Sequence, residues 1–530
     1  MRFKIFTTTL FLVWVVAQTG VFAQSPQQYE RFGDDAAYDR NAWDEAFGYY
    51  QQAYALDSSS FLLRKKLADA AREVKYYPLA YQLYTQNYSI DEGKSDPNAL
   101  FYMAWLEKTM GRYEDAQRNF KKFTKKSKGA DKALVEIATH EVKASQWAMN
   151  NSEKNDSPDS LLLLMMGPDC KGVKWKKSKL PSNIIGSASE MAPLQMQTTF
   201  YYTDFADNKW RVHMADVLYD SVRTQANPPM FQNIRSVPGM PDVEGSQASF
   251  SQIGDRVYFS QVIGDFTKLM TGSWDTDHIV TAYEMEIVNG EGGINTMPHV
   301  TMIDGVEYFF FVSDRPGGVG GLDIWYSVYE DSWTKPKNAG KRVNSEGNDI
   351  TPFCRDGRLF FASDWHNGYG GFDLFYANRK GESFEKPINM GKTYNSTFNE
   401  LSPSVAVSKP DGRCNFYFAS NKPDSLRAES ACCNDLYVVS AVMQCGAKNV
   451  DTTQTVLNRL MRELPVVLYF HNDEPNPKTL DTTTTLSYLD AYQSYTGLKD
   501  EYIRENTKGL EGELKEDKEE ITRDFFDLKV

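Results

Sequence analysis

The chain of 530 residues carries 71 acidic against 58 basic side chains, a formal net charge of −13. That balance argues against nucleic acid as a main partner, because phosphate binding needs a basic surface. With 13% aromatic and 41% hydrophobic residues the chain can build packed cores, and its length predicts roughly three to four units.

Residues 1–23 read as an export signal. Arg2 and Lys4 precede the apolar Ile5 to Val16, and Val21-Phe22-Ala23 offers small residues for cleavage before Gln24. No cysteine stands at the cleavage point, so a lipid anchor there is not expected. No later apolar run reaches membrane-spanning length; Leu161 to Met166 is expected to form a buried strand.

From 25 to 150 the apolar spacing is helical. Ala46 leads to Tyr50, Ala80 to Tyr84 and Ala116 to Phe120, and the alanines fall 34 and then 36 residues apart. A small residue lets two antiparallel helices approach, and the aromatic residue four places later fills the adjoining groove. The pattern resembles the tetratricopeptide repeat, whose period is about 34. Asn98 to Met110 is expected to open the third unit and Lys132 to Met149 to cap the array. Lys121, Lys122, Lys125, Lys126 and Lys128 read as a solvated helix face.

From 158 to 445 short β-branched and aromatic runs alternate with Gly, Asn, Asp and Pro. One phrase is written twice: Ser313-Asp314-Arg315-Pro316-Gly317-Gly318-Val319-Gly320-Gly321-Leu322-Asp323 recurs as Ser363-Asp364-Trp365-His366-Asn367-Gly368-Tyr369-Gly370-Gly371-Phe372-Asp373. Apolar strand candidates ending near 204, 260, 314, 364 and 420 are each preceded by a second marker such as Asn348-Asp349-Ile350-Thr351-Pro352. Repetition of about fifty residues with these parts predicts an all-β propeller of five blades. A sixth becomes available if Leu161–Met166 and Leu436–Ser440 form a shared closing strand. The blades resemble the WD-repeat-like blades of periplasmic proteins of the TolB type.

Asp314, Asp323, Asp364 and Asp373 are expected to accept turn amide hydrogens, with the glycines supplying positive φ. Gly317 to Asp323 departs from the calcium-binding β-roll loop, Asp323 standing one place too late, so no metal is expected. Cys170, Cys354, Cys414, Cys432, Cys433 and Cys445 form no zinc-knuckle spacing. Exported cysteines suggest one or two disulfides near the propeller's end. The pairing stays open, with Cys170 to Cys445 as one candidate that would fasten the ends of the propeller.

No G-x-S-x-G elbow, sialidase-type Asp box or H-E-x-x-H pair is present, and neither an enzyme nor a cofactor is expected. Carboxylates at a central channel, as in five-bladed glycosidases, are the arrangement that sequence leaves open. From 464 to 530, Val466-Val467-Leu468-Tyr469-Phe470-His471-Asn472-Asp473-Glu474-Pro475 resembles the opening strand of the OmpA-like peptidoglycan-binding domain in its Bacteroidetes form, followed by a helical insertion. Neither peptidoglycan-binding motif of that family follows before Val530, so no ligand residue carries over and the α/β domain is expected to be incomplete.

The order of signal, helical repeats, propeller and OmpA-like start resembles PorE-type proteins of type IX secretion and gliding. The resemblance implies a non-catalytic periplasmic scaffold, peripheral at the outer membrane, with envelope or secretion-complex proteins as partners and peptidoglycan as a further one. A glycan-binding or glycan-cleaving propeller is the alternative, and a TolB-like envelope link a third reading.

Overall fold

The computed structural model describes residues 25–445 apart from 127, 154–156, 187–188, 207–208, 220–224, 241–244, 265, 276–277, 291–292 and 424–432, together with 503, 504, 507, 508, 515 and 519. The export-signal reading, Cys432 and, but for those six positions, the OmpA-like reading lie outside the described residues. The chain divides into two compact units, Met1–Cys445 and Gly446–Val530. In the second, the Thr507 hydroxyl donates to the Ile503 carbonyl at 2.8 Å, the reach of one helical turn.

The first unit opens with a helical arm: α1 (Pro26–Asp34), α2 (Trp43–Leu56), α3 (Phe61–Glu73), α4 (Tyr77–Asp91), α5 (Ala99–Thr109), α6 (Tyr113–Lys125) and α7 (Lys132–Ser152). Local chemistry sets the starts. Ser25 and Gln28 form a capping box on α1, Ser60 accepts from the Leu63 amide, and Asp131 accepts from the Ala133 amide. The helix α4 stops where Glu92 and Gly93 take left-handed φ of 54° and 83°. Ala46, Tyr50, Ala80, Tyr84, Ala116 and Phe120 are all fully buried. The buried phenols keep partners, Tyr50 donating to Asp34 at 2.8 Å and Tyr84 to Asp69 at 2.5 Å.

A short helix, α8 (Asp159–Met166), stands where a strand was expected from Leu161 to Met166. The run is leucine and methionine with no β-branched residue, which favours helix, and Gly167 ends it with φ of 109°. Leu162 and Met166 are buried against the last two blades of the ring that follows.

That ring has five sheets among the described residues, and no sixth. It begins with β1 (Cys170–Lys179). Blade 1 is β2 (Ser189–Met196), β3 (Thr199–Ala206), β4 (Lys209–Leu218) and β5 (Met230–Ser236). Blade 2 is β6 (Ser246–Ile253), β7 (Arg256–Ile263), β8 (Phe266–Asp275) and β9 (His278–Glu284). Blade 3 is β10 (Asn295–Ile303), β11 (Val306–Ser313), β12 (Asp323–Val328) and β13 (Lys337–Asn338). Blade 4 is β14 (Asp349–Arg355), β15 (Arg358–Ser363), β16 (Asp373–Lys380), β17 (Ser383–Phe384) and β18 (Ile388–Asn389). Blade 5 is β19 (Glu400–Ser408), β20 (Arg413–Ser420) and β21 (Asp435–Cys445), with β1 antiparallel on β21 as its fourth strand.

The closing strand is therefore β1 and not Leu161–Met166. Cys170 lies opposite Cys445 and the two form a disulfide. Cys354 and Cys414 are buried thiols, so Cys414 takes no part in a second bridge.

Period-2 alternation puts one apolar core at each blade interface. Tyr201 meets Phe250 between blades 1 and 2, Tyr258 meets Phe309 between 2 and 3, and Phe310 meets Phe361 between 3 and 4. Phe360 meets Phe416 between 4 and 5, and Tyr417 meets Phe200 between 5 and 1.

Each innermost strand carries a register shift beside a non-glycine residue in the left-handed region: Ala192, Ser249, Met297, Thr351 and Ser402, with φ from 51° to 55°. Such bulges bend the strand at the channel wall. Three of the five displaced amides are satisfied by the preceding blade, Ser249 by Thr203 Oγ1, Met297 by Ser260 Oγ and Ser402 by Thr351 Oγ1, at 3.0–3.1 Å.

The repeated glycines mostly serve a different purpose from the one expected. In the two phrases only Gly317 has left-handed φ, 93°. A Cβ on Gly320 would stand 2.4 Å from the Ser345 and Gly347 carbonyl oxygens, and one on Gly370 2.4 Å from the Thr397 carbonyl carbon. These glycines admit close backbone approach.

Two predictions follow from packing. Ala80→Leu should overpack α4 and lower stability by about 1–3 kcal/mol, read as a lower midpoint in chemical unfolding of the full chain. Gly370→Ala should destabilise by a similar order, whereas Gly48→Ala, in α2 with open space around it, should stabilise by roughly 0.5–1 kcal/mol. The same sign for both glycine variants would refute the close-approach account.

Candidate functional site

The aspartates of the repeated phrase lock the loops between strands. Asp314 accepts from the Ile294 amide at 2.8 Å, and Asp364 from the Asn348 amide at 2.7 Å and side chain at 2.8 Å. In blade 5 Asn421 does the same for Asn399. Asp323 accepts from the Val319 and Gly320 amides and Asn338 Nδ2; Asp373 accepts from the Tyr369 and Gly370 amides and Asn389 Nδ2. Two loop positions are thereby held rigid in each of blades 3 and 4.

The helical arm docks on these loops through rings. His140 of α7 stacks on Trp365 with centroids 4.1 Å apart, Trp147 lies against Tyr369 at 5.2 Å, and Tyr77 stacks on Phe398 at 6.5 Å. Tyr113, Ala148 and Tyr369 close a small buried cluster beside them. Burial holds the His140 imidazole below its usual pKa, keeping the stacked ring neutral near pH 7.

Between arm and ring lies a cleft of about 980 Å³. One wall is α5 and α7, with Phe101, Tyr102, Trp105, Glu136, His140 and Lys143; the other is Gly321, Glu346, Asn348, Asp364, Trp365 and Gly371 from the blade loops. Arg72 closes one side with its guanidinium 4.4 Å above the Tyr102 ring. Glu141, also in the lining, is neutralised by buried Lys108 at 2.8 Å. The cleft thus offers ring faces, backbone amides and side chains of both charges. Trp365 and His140 escaped sequence reasoning: the first sat inside a phrase read as turn, the second on an unremarkable helix.

The central channel is different. At its narrow part it is about 50 Å³, lined by Ala192, Pro193, Pro298, Pro352, Pro403 and their neighbours. No described lining residue there is Asp or Glu. Carboxylates near the strand starts turn into the blades instead: Glu190 accepts from the Gly186 amide, Asp349 from Ser345, and Glu400 from Ser396 and Ser420. The two-carboxylate arrangement of glycosidases is therefore not formed at this constriction. Among the described residues no cluster of His, Cys, Asp and Glu is placed to hold a metal ion.

Comparisons with known proteins leave the family open. No family model matches the chain, and no curated protein matches it. Among solved structures, the helical part is similar to the Arabidopsis OM64 TPR domain, at 20% identity over 22% of this chain and 94% of that one, with a TM-score of 0.20. The propeller part is similar to α-L-arabinofuranosidase from Lactobacillus brevis, at 11% identity over 47% of this chain and 90% of that one, TM-score 0.33. It is also similar to a structure described as a glycoside hydrolase, at 10% identity over 54% and 95%, TM-score 0.36. These likenesses correct one expectation. The expectation of no enzyme rests on missing hydrolase motifs, yet the propeller part is similar to structures described as an α-L-arabinofuranosidase and a glycoside hydrolase, so that expectation is withdrawn. At these TM-scores they assign no chemistry to this chain.

Behind the cleft floor, burial and then neighbouring Glu400 push the Asp373 carboxyl up to about 7, and burial raises Glu400 as well. The folded state keeps a proton at Asp373 that the unfolded chain releases near 3.8, so this group's contribution to stability declines as pH rises from about 4 to about 7. Asp373→Asn cannot titrate, and its stability relative to the parent should climb across that window in thermal unfolding at stepped pH. A constant difference would show that Asp373 is ionised throughout.

Proposed function

We propose that this chain is an exported binding platform that holds polypeptide segments of an envelope assembly in the cleft between the helical arm and the propeller. The observation that carries the reading is the cleft itself, built by two different folds and joined wall to wall by the His140–Trp365 stack. A preformed site avoids the ordering cost that a mobile one would meet on binding. Its aromatic faces with charges of both signs suit an extended chain with mixed side chains. The export-type N-terminus supports a periplasmic setting, and the resemblance to PorE-type proteins supports a secretion or gliding assembly as the context, with peptidoglycan as a further contact. No helix among the described residues is long and apolar enough to cross a membrane.

A glycan ligand is the second reading. Tyr102, Trp105 and Trp365 beside Asn348, Asp364 and Glu346 combine ring faces with hydrogen-bonding groups, the surface on which sugar rings stack. Cleavage in that case would draw on carboxylates of the cleft rather than of the channel constriction.

Affinity purification from envelope fractions with the parent chain and with Lys143→Glu, an exposed cleft position, separates the readings. Partner proteins should be recovered with the parent and depleted several-fold with the variant, and calorimetric titration of a recovered partner's peptide should weaken about tenfold, roughly 1.4 kcal/mol. Saturable binding or hydrolysis of neutral oligosaccharides, abolished by Trp365→Ala and accompanied by no protein partner, would replace this reading with the glycan one.

A further inference from the structure

Strand β1 closes the ring along one side only; β21 is its single ladder partner among the described residues. The Leu180 amide donates to the Leu436 carbonyl at 2.8 Å, and the register runs without a break from Lys174 to Lys179. Antiparallel alternation then turns the backbone N–H and C=O groups of Trp175 and Lys177 to the outer side. An edge of that kind is a template for another strand.

The chemistry of this edge is unusual for the chain. Lys171-Gly172-Val173-Lys174-Trp175-Lys176-Lys177-Ser178-Lys179 holds five lysines and no acid in a protein of net charge −13. Lys179 is paired with Asp435 at 2.7 Å, and the Lys177 ammonium lies 5.0 Å from the Phe418 ring centroid. Lys171, Lys174 and Lys176 are exposed and make no ion pair among the described residues, and Trp175 is 39% exposed.

Lysines on an edge repel neutral and basic strands, which protects against indiscriminate pairing. They turn that repulsion into cross-strand attraction for an acidic one. Lys171, Lys174 and Lys176 stand opposite Gln444, Val442 and Ser440, alternate residues of β21, so their side chains share one face. A strand with carboxylates at alternate positions meets that row while its own backbone meets the outward N–H and C=O groups, a pairing that a flat anionic surface does not offer. We propose that β1 accepts an extended acidic segment of a partner polypeptide as an added strand, with carboxylates opposite Lys171, Lys174 and Lys176 and main-chain bonds at Trp175 and Lys177. The surface is separate from the cleft and does not rest on the reading given for it.

The test uses the full chain and a fluorescein-labelled ten-residue peptide alternating glutamate with valine or threonine. Anisotropy should show saturable binding that weakens with salt, and Trp175 emission should shift. Lys174→Glu with Lys176→Glu should reduce affinity about tenfold or more, and N-methylation of alternate peptide amides should abolish binding to the unaltered protein. Failure of the peptide to bind overturns the proposal. So does equal binding of the N-methylated peptide or of phosphatidylglycerol vesicles, which would reduce the edge to diffuse electrostatic attraction.

Discussion

Ring closure is the constraint on which the rest of the first unit depends. Cys170 and Cys445 are separated by 275 positions and must meet before blade 5 is complete. The entropy lost in closing a loop grows only slowly with its length, so one antiparallel ladder and one covalent bridge are proportionate to the task. An open ring would strip the Phe200–Tyr417 core of half its partners and expose aromatic surface to water. Closure also fixes the arm, because α8 leads straight into β1 and packs beneath the last blades.

Within the closed ring, repetition supplies the scaffold and departures from it supply the site. Arg315 and Trp365 occupy equivalent places in the two copies of the phrase. In blade 3 the Arg315 guanidinium folds back over Phe311 and Trp325, 4.8 and 5.3 Å from their ring centroids. In blade 4 the same place presents Trp365 outward to His140. Two aromatic residues of the second copy, Trp365 and Tyr369, where the first has Arg315 and Val319, meet the helical arm at His140 and Trp147. The aspartates shared by both copies hold the loops, and these unshared residues give blade 4 its partner.

Much of this architecture was legible in the residues, for reasons that can be named. The five blades announced themselves because two markers recurred in fixed order, each tied to a local need: a strand end and a channel-wall bulge. The helical arm was readable from an alanine and an aromatic residue four apart, since that pairing is what close helix packing requires. The closing strand was not. Its lysines show no inward–outward alternation, and its extended form comes from pairing with β21, a tertiary influence that propensity does not contain. The Leu161–Met166 run misled because a short, wholly apolar segment has no period to distinguish helix from strand. The cleft was invisible for a different reason: its walls come from distant parts of the chain, and only docking brings His140 to Trp365. The glycines were recognised as necessary, but the crowding at Gly320 and Gly370 exists only once neighbouring loops are in place.

The bridge at the ring's seam has a mechanical corollary. The arm enters the propeller immediately before Cys170, and the chain leaves it immediately after Cys445. Tension applied between whatever grips the arm and whatever grips the segment beyond 445 would run across that single sulfur–sulfur link. The blades would sit beside that line of force, like a wheel hung from a taut cable, loaded only through the arm's own ring contacts with them.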